Sequence, residues 1–126
     1  MSTLEMTTAN FTETIRKGTV LIDWWASWCG PCRAFAPTYE AVAAKHPEAT
    51  FAKVDTEAQP ALAAAFQIRA IPTLMAFRDG VLLLREAGAM PGSALKEILK
   101  RVADIDMNEI LKKIAEAEAT QPQTLV

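Results

Sequence analysis

The chain has 126 residues, of which 51% are hydrophobic and 22% charged, with a formal net charge of −2. This length suits one compact domain, and the composition is that of a globular protein rather than a disordered one. Because the chain carries no basic cluster, nucleic acid and anionic membranes are not expected partners. The longest apolar stretches are interrupted by Asp23, Lys53 or Arg69, so no membrane span is expected.

The first half of the chain is predicted to alternate strands and helices. A short strand near Leu4 precedes a short helix that begins at Asn10, which has capping-box spacing to Glu13. Residues 19–26 are rich in β-formers and mostly apolar, as in a central strand buried on both faces. A helical pattern then runs from Cys29 to Lys45, with Phe35, Tyr39, Val42 and Ala43 as the residues expected to face inward.

The second half adds a strand over residues 50–55, a short helix near 59–66, and two strands over 73–78 and 81–87. Asp79-Gly80 between these last two strands is a strong hairpin signal. A helix from Pro91 or Gly92 follows, with Leu95, Ile98, Leu99 and Val102 at core spacing. The order βαβαβαββα predicts an α/β fold: a central mixed sheet flanked by helices on both faces.

The last residues carry a second helical pattern. Asp106 and Glu109 have capping-box spacing, and Ile110, Leu111 and Ile114 form a narrow apolar stripe. The segment is expected either to be a separate helix folded back on the domain or to continue one long helix. From Thr120 onward the composition predicts a flexible tail.

Cys29 and Cys32 lie three residues apart at the first turn of a predicted helix. Side chains at this spacing share one helix face, so the two sulfurs can form a disulfide. The unpaired N–H groups and positive dipole end of the helix favour a thiolate at Cys29, which can attack a disulfide that Cys32 then resolves. The alternative is that the two cysteines form half of a zinc site. Tetrahedral zinc needs four ligands, and the sequence offers His46 as the one candidate besides the cysteines, so such a site would have to be shared between chains.

Residues 28–32, Trp-Cys-Gly-Pro-Cys, resemble the active-site motif of the thioredoxin family. Three more stretches are similar at matching spacing: residues 23–26 (Asp-Trp-Trp-Ala), 71–73 (Ile-Pro-Thr) and 77–80 (Phe-Arg-Asp-Gly). The resemblance runs from about Ser2 to Arg101. It implies a thioredoxin fold over residues 1–104 and leaves residues 105–126 as a C-terminal helical extension and flexible tail.

Asp23 lies in an apolar strand, where burial of a carboxyl group raises its pKa toward the range useful for proton transfer. The resemblance implies that Asp23 accepts the proton of Cys32, with Lys53 as its partner. The alternatives are an exposed aspartate at a strand end and a structural ion pair with Lys53. The resemblance also implies that Pro72 follows a cis peptide bond and leaves the backbone at Ile71 free to pair with an extended substrate segment.

An apolar rim that docks protein substrates is also implied by the resemblance. It consists of Trp28, Gly30, Pro31, Ala70, Ile71, Gly88 and Ala89. Ala70 stands where many members of the family have glycine, so the choice of partner is the property that this substitution affects.

The resemblance implies a monomeric thiol–disulfide oxidoreductase that reduces protein disulfides without a bound cofactor or metal. Its electrons would come from NADPH through thioredoxin reductase, and its clients would be ribonucleotide reductase, peroxiredoxins and methionine sulfoxide reductase. Residues 1–5 lack the segments of a signal peptide, so a cytoplasmic location is expected. Gly30-Pro31 favours the reducing members over isomerases and oxidases. The alternative from another class is an interaction module that holds a partner through its C-terminal segment.

Overall fold

A computed structural model describes residues 2–120 of the chain, so the predicted flexible tail lies, apart from Thr120 itself, outside the described residues. In chain order the elements are β1 (Thr3–Glu5), α1 (Phe11–Ile15), β2 (Thr19–Trp25), α2 (Gly30–Lys45), β3 (Thr50–Asp55), α3 (Pro60–Ala65), β4 (Thr73–Arg78), β5 (Val81–Ala87), α4 (Gly92–Asp104) and α5 (Met107–Thr120). Within residues 2–120, no helix combines the length and apolar character needed to cross a membrane.

The strands form one sheet in the order β1-β3-β2-β4-β5. The strands β1 and β2 both pair with β3 in parallel, whereas β4 is antiparallel to β2 and to β5. This is the predicted mixed sheet, with parallel strands early in the chain and an antiparallel hairpin late. At the hairpin turn, Asp79 and Gly80 both adopt left-handed backbone angles, with φ of 50° and 86°, which the tight turn requires.

The sheet separates two hydrophobic clusters because successive side chains of a strand point to opposite faces. On one face, α2 and α4 cover the sheet, and Leu21 of β2 packs against Phe35, Tyr39 and Leu95. On the other face Val20, Ile22 and Trp24 pack with residues of α1 and α3. By this alternation Asp23 faces the same side as Leu21, beneath α2. The inward-facing residues predicted for α2 and α4 are all buried.

Of the two predicted capping boxes, the one at Asn10 is not formed. Asn10 stands before α1, but its side chain accepts a hydrogen bond from the Thr7 amide at 2.8 Å instead of capping the helix. The bend that this bond stabilises precedes α1, so the amide side chain serves the loop rather than the helix. In contrast, Asp106 Oδ1 accepts from the amides of Asn108 and Glu109 at 3.0 and 3.4 Å, so it caps the start of α5.

The junction between α4 and α5 is held by Arg78. Its Nη1 donates to the carbonyl oxygens of Val102, Ala103 and Ile105 at 2.9, 2.9 and 2.7 Å, which ties the C-terminal end of α4 to β4. Helix α5 is therefore separate from α4. It is thus not part of one long helix. Leu111 and Ile114 of its apolar stripe are 51% and 38% exposed, whereas Ile110 is half-buried.

Candidate active site

The two cysteines lie where the central strand ends and α2 begins. Cys29 is the N-cap residue of α2, and Pro31 occupies the first turn, where its missing N–H costs no helical hydrogen bond. The Sγ atoms of Cys29 and Cys32 are joined in a disulfide, with their Cα atoms 5.2 Å apart. Both residues are almost fully buried, so an attacking sulfur must approach through the side of Cys29 that faces the surrounding rim.

Cys29 Sγ sits in a partly positive environment. It accepts a hydrogen bond from the Cys32 amide at 3.2 Å and lies at the N-terminal end of a 16-residue helix. Backbone donors and the positive end of the helix dipole stabilise a negative charge at this place. When the disulfide is reduced, the same groups favour a thiolate at Cys29 over one at Cys32, whose sulfur lies inside the first turn.

The loop between α3 and β4 contacts the disulfide. The Ile71–Pro72 peptide bond is cis, and Pro72 is buried. The Ile71 carbonyl oxygen lies 3.7 Å from Cys29 Sγ, and the Ile71 side chain packs against the two cysteines. The Pro72 carbonyl accepts from the Gly88 amide at 2.7 Å, so β5 and the loop that follows it are held beside this segment.

The predicted rim residues flank Cys29 in the sequence, belong to the loop of Ile71, or follow β5, where Gly88 is bonded to Pro72. Trp28 is 66% exposed, and its indole Nε1 donates to Glu57 Oε1 at 2.8 Å. The other rim residues are exposed (Gly30, Pro31, Ala70 and Ala89) or half-buried (Ile71 and Gly88). Glu57 was not among the residues predicted from the sequence. Its only signal is an acidic residue shortly after β3, at the end of the sheet where the cysteines lie.

Asp23 is 1% exposed, and among the described residues neither of its carboxyl oxygens has a hydrogen-bond partner. Burial raises the pKa of Asp23 from 3.8 to about 7, and the positive charge of Lys53 lowers it in part. A group with this pKa exchanges a proton readily near neutral pH. The alternative of an exposed aspartate at a strand end is wrong.

Lys53 lies opposite Asp23 in the β2–β3 register. Its Nζ stands 4.8 Å from the centre of the Trp25 ring, which is a cation–π arrangement. Among residues 2–120, Lys53 and Asp23 are not joined in an ion pair, and the Asp23 carboxyl oxygens have no hydrogen-bond partner. Lys53 therefore acts on Asp23 through space, and the alternative of a structural ion pair between them is wrong.

Metal ligands are not assembled around the cysteines in the described part of the chain, where no three His, Cys, Asp or Glu side chains are grouped to hold an ion. His46 is at the opposite end of α2 from Cys29, and its Nδ1 lies 2.9 Å from Glu48 Oε2. The three residues named in the zinc alternative are thus not brought together within one chain.

Similarity to known proteins extends over most of the chain. The family model described as Thioredoxin matches residues 2–101. The chain belongs to the thioredoxin family. It is 48% identical, over 94% of its own length and 89% of the relative's, to the protein assigned as thioredoxin 2 in Streptomyces coelicolor. It is 38% identical to the thioredoxin of Staphylococcus haemolyticus, over 80% of this chain and 98% of that one.

The fold agrees with this family. A thioredoxin variant from Halobacterium salinarum superposes with a TM-score of 0.75 at 30% identity, covering 82% of this chain and 92% of the other. This thioredoxin is therefore a thiol–disulfide oxidoreductase with Cys29 and Cys32 as its redox-active pair, and it has the activity of a protein-disulfide reductase. Thioredoxins carry no cofactor, and their general partners are thioredoxin reductase and proteins that contain disulfides.

Proposed function

We propose that this thioredoxin reduces disulfides of cytoplasmic client proteins and is recharged by an NADPH-dependent thioredoxin reductase. The observation that carries the proposal is the position of Cys29 Sγ, which accepts from the Cys32 amide at the N-terminal end of α2 and lies 3.7 Å from the Ile71 carbonyl. A nucleophile stabilised by backbone donors thus stands beside a backbone segment that can align a substrate. Ribonucleotide reductase, peroxiredoxins and methionine sulfoxide reductase are the proposed clients.

The first step is attack of the Cys29 thiolate on one sulfur of the client disulfide. A Cys29–client bond forms, the client S–S bond breaks, and the second client sulfur leaves as a thiolate that takes a proton from water. The Ile71 backbone pairs with an extended client segment, as in strand addition. The exposed face of Trp28 and the neighbouring Pro31 contact apolar side chains beside the client disulfide.

In the second step Cys32 resolves the mixed disulfide. Asp23 takes the proton of the Cys32 thiol, and the Cys32 thiolate attacks Cys29 Sγ. The Cys29–Cys32 bond forms, the bond to the client breaks, and the client leaves with both sulfurs reduced while the thioredoxin pair is oxidised. Since the pKa of Asp23 is about 7, the carboxyl can return the proton to solvent at neutral pH. Lys53 limits how far burial raises this pKa.

The test is NADPH-driven reduction of insulin with a bacterial thioredoxin reductase. We expect catalytic turnover that falls at least about 1,000-fold in Cys29→Ser, because an alcohol is not ionised at neutral pH and cannot replace the thiolate. Turnover with dithiothreitol but not with the reductase would contradict the proposed electron donor alone. Absence of turnover with both reductants would contradict the proposed reduction of client disulfides.

A second candidate function, a docking module, rests on the exposed stripe of α5. We propose that residues 1–104 form the catalytic domain and that residues 105–126 are an extension with a separate role. The alignment with the Streptomyces coelicolor relative covers 94% of this chain and so includes most of α5. Arg78 binds the start of the extension through the Ile105 carbonyl. In the β2–β4 register it lies opposite Thr19, at the end of the sheet away from the cysteines and about 20 Å from them.

Removal of residues 106–126 separates these two roles. We expect kcat/KM for insulin to change less than about twofold, because the deletion leaves the bonds from Arg78 to Val102 and Ile105 in place and lies far from Cys29. The measurement is the insulin assay on the shortened and full chains, with thermal unfolding as a check on folding. A large loss of turnover with unchanged stability would show that the extension belongs to the catalytic unit.

A further inference from the structure

Arg85 is a charged side chain that the proposed mechanism does not use. It lies on the edge strand β5 opposite Met75 of β4, so it faces the side of the sheet that α3 covers. Its Nη1 donates to the carbonyl oxygen of Phe66, and its Nη2 donates to that of Gln67 at 2.7 Å. These bonds span 19 and 18 residues, and they join the strand to the C-terminal end of α3.

The two carbonyl groups belong to the turn in which the chain leaves α3. Phe66 is the C-cap residue, and Gln67 has a left-handed φ of 51°. The amides of Gln67 and Ile68 donate to the carbonyl oxygens of Ala64 and Ala63 at 3.0 and 2.9 Å, which closes the helix end. Glycine is the usual residue in this conformation, so at Gln67 the turn needs support from its surroundings. The two donors of one planar guanidinium group supply that support.

The segment of residues 66–72 begins at this turn and ends beside the disulfide. Its Ile71 carbonyl oxygen lies 3.7 Å from the sulfur of Cys29. At the same end, the Pro72 carbonyl accepts from the amide of Gly88, the residue that directly follows β5. The strand β5 therefore holds both ends of the segment, one through a side chain and the other through the residue after the strand.

We propose that Arg85 is a positioning residue for client binding: by holding the start of the 66–72 segment, it keeps the Ile71 backbone where an extended client strand pairs with it. The inference rests on the proposed function, in which that pairing aligns the client disulfide. A segment that is already ordered loses less conformational entropy when the client binds. The ligand class is an extended peptide with its disulfide in the strand, and Arg85 acts on the binding of this peptide.

The attack on a disulfide does not depend on this contact. Cys29 Sγ is stabilised by the Cys32 amide and by the N-terminal end of α2. A small disulfide that reaches Cys29 without pairing with the Ile71 backbone should therefore react equally well with and without Arg85. The guanidinium group is exposed, so its bonds are expected to add little to the global stability, because water competes for them. These two expectations separate positioning of the segment from general support of the fold.

The test is Arg85→Met, which removes the donors and keeps a side chain of similar length. The pre-reduced protein is mixed with two disulfides that share one leaving group. One is the symmetrical disulfide of thionitrobenzoate, and the other is a short β-forming peptide whose central cysteine carries thionitrobenzoate. Cys29 attacks, thionitrobenzoate leaves as a coloured thiolate, and Cys32 then displaces the remaining group as the Cys29–Cys32 disulfide forms.

We expect the second-order rate constant for the peptide to fall about fivefold in Arg85→Met, and that for the small disulfide to change less than about twofold. A peptide with an N-methylated backbone, which cannot pair as a strand, should react with the parent and the variant at equal rates. Arg78→Met is the matched control, because Arg78 also donates to several carbonyl oxygens but lies at the end of the sheet away from the cysteines. It should leave the ratio of the two rate constants unchanged.

Amide hydrogen exchange tests the same contact without any client. We expect exchange at the Gln67 and Ile68 amides to be about tenfold faster in Arg85→Met, because the turn that they close loses its support, and unchanged in Arg78→Met. Unchanged exchange in Arg85→Met would overturn the proposal. Faster exchange with an unchanged rate for the peptide would overturn the role in client binding.

Rate constants for the peptide and the small disulfide that fall by the same factor in Arg85→Met would also overturn the proposal, as would an equal change of their ratio in Arg78→Met. A parent protein that reacts equally with the plain and the N-methylated peptide would contradict strand pairing at Ile71 itself, and with it the role of Arg85 in client binding. Failure of the proposed function is thus seen in the parent, whereas failure of the inference about Arg85 is seen in the variant alone.

Discussion

Replacement of Asp23 with asparagine is expected to stabilise the folded protein by about 4 kcal/mol more at pH 8 than at pH 3.5. The pKa of the Asp23 carboxyl is raised from 3.8 to about 7 by burial, and the side chain is 1% exposed. Each unit of pKa difference between the folded and unfolded chains corresponds to about 1.4 kcal/mol. Asparagine has a similar shape and does not ionise, so it removes the pH-dependent free-energy cost of ionising a buried carboxyl group.

The sign follows from which state holds the proton. Below about pH 4 the carboxyl is protonated in both states and has no pH-dependent effect on stability. Between about pH 4 and the folded pKa of about 7, the unfolded chain ionises while the folded chain keeps its proton, so stability falls as the pH rises. Above that range both states are ionised and the cost is constant. If Asp23 were a structural ion pair with Lys53, its pKa would be lowered, and the same substitution would destabilise the protein at pH 8.

Urea unfolding of the oxidised protein at several pH values provides the measurement. The free energies of unfolding of Asp23→Asn and of the parent should diverge as the pH rises from 4 to 7 and run parallel above that. Asp104→Asn, which neutralises an exposed carboxylate on α4, is the matched control and should give a curve parallel to that of the parent. If the curves for Asp23→Asn and the parent remain parallel throughout, the raised pKa of the buried Asp23 carboxyl is contradicted.

The parts of the molecule that could be predicted from the sequence are those that local patterns determine. An apolar run with one carboxylate in its middle favoured the burial of Asp23 over an exposed position at the strand end, because neighbouring residues of a central strand are covered on both faces. Asp79-Gly80 predicted the hairpin because few residue pairs adopt two successive left-handed conformations. For the Cys-x-x-Cys pair, helix periodicity alone places both sulfurs on one face.

The parts that the sequence did not reveal depend on where long side chains end. Lys53 is beside Asp23 in the register, but its ammonium group lies over Trp25, since a flexible side chain reaches several partners from one backbone position. The bond from Trp28 to Glu57 spans 29 residues, and that from Tyr39 to Leu21 spans 18. No periodicity indicates such pairs. Asn10 illustrates the same limit at short range, because its side chain accepts from the Thr7 amide and donates to the Glu5 carbonyl instead of capping α1.

Replacement of Cys32 with serine is expected to convert catalysis into a single binding event. Cys29 keeps its position at the N-terminal end of α2, with the amide of residue 32 still available to donate to its sulfur at about the present 3.2 Å. Attack on a client disulfide therefore proceeds and gives a mixed disulfide. Serine at position 32 cannot displace the client, because its hydroxyl is not ionised in the accessible pH range and an oxygen–sulfur bond does not replace the disulfide.

The measurable result is a covalent adduct that accumulates in proportion to the enzyme added. With a client of one disulfide, non-reducing gel electrophoresis and intact mass should show close to one client per Cys32→Ser chain, and steady-state turnover should fall by at least about 1,000-fold. Dithiothreitol should release the client, and the double variant Cys29→Ser, Cys32→Ser should form no adduct. An adduct that forms equally well in Cys29→Ser but not in Cys32→Ser would reverse the assignment, and Cys32 would then be the attacking sulfur. The position of Cys29 argues against that outcome. Its sulfur, and not that of Cys32, lies 3.7 Å from the Ile71 carbonyl oxygen, beside the backbone where a client strand is proposed to lie.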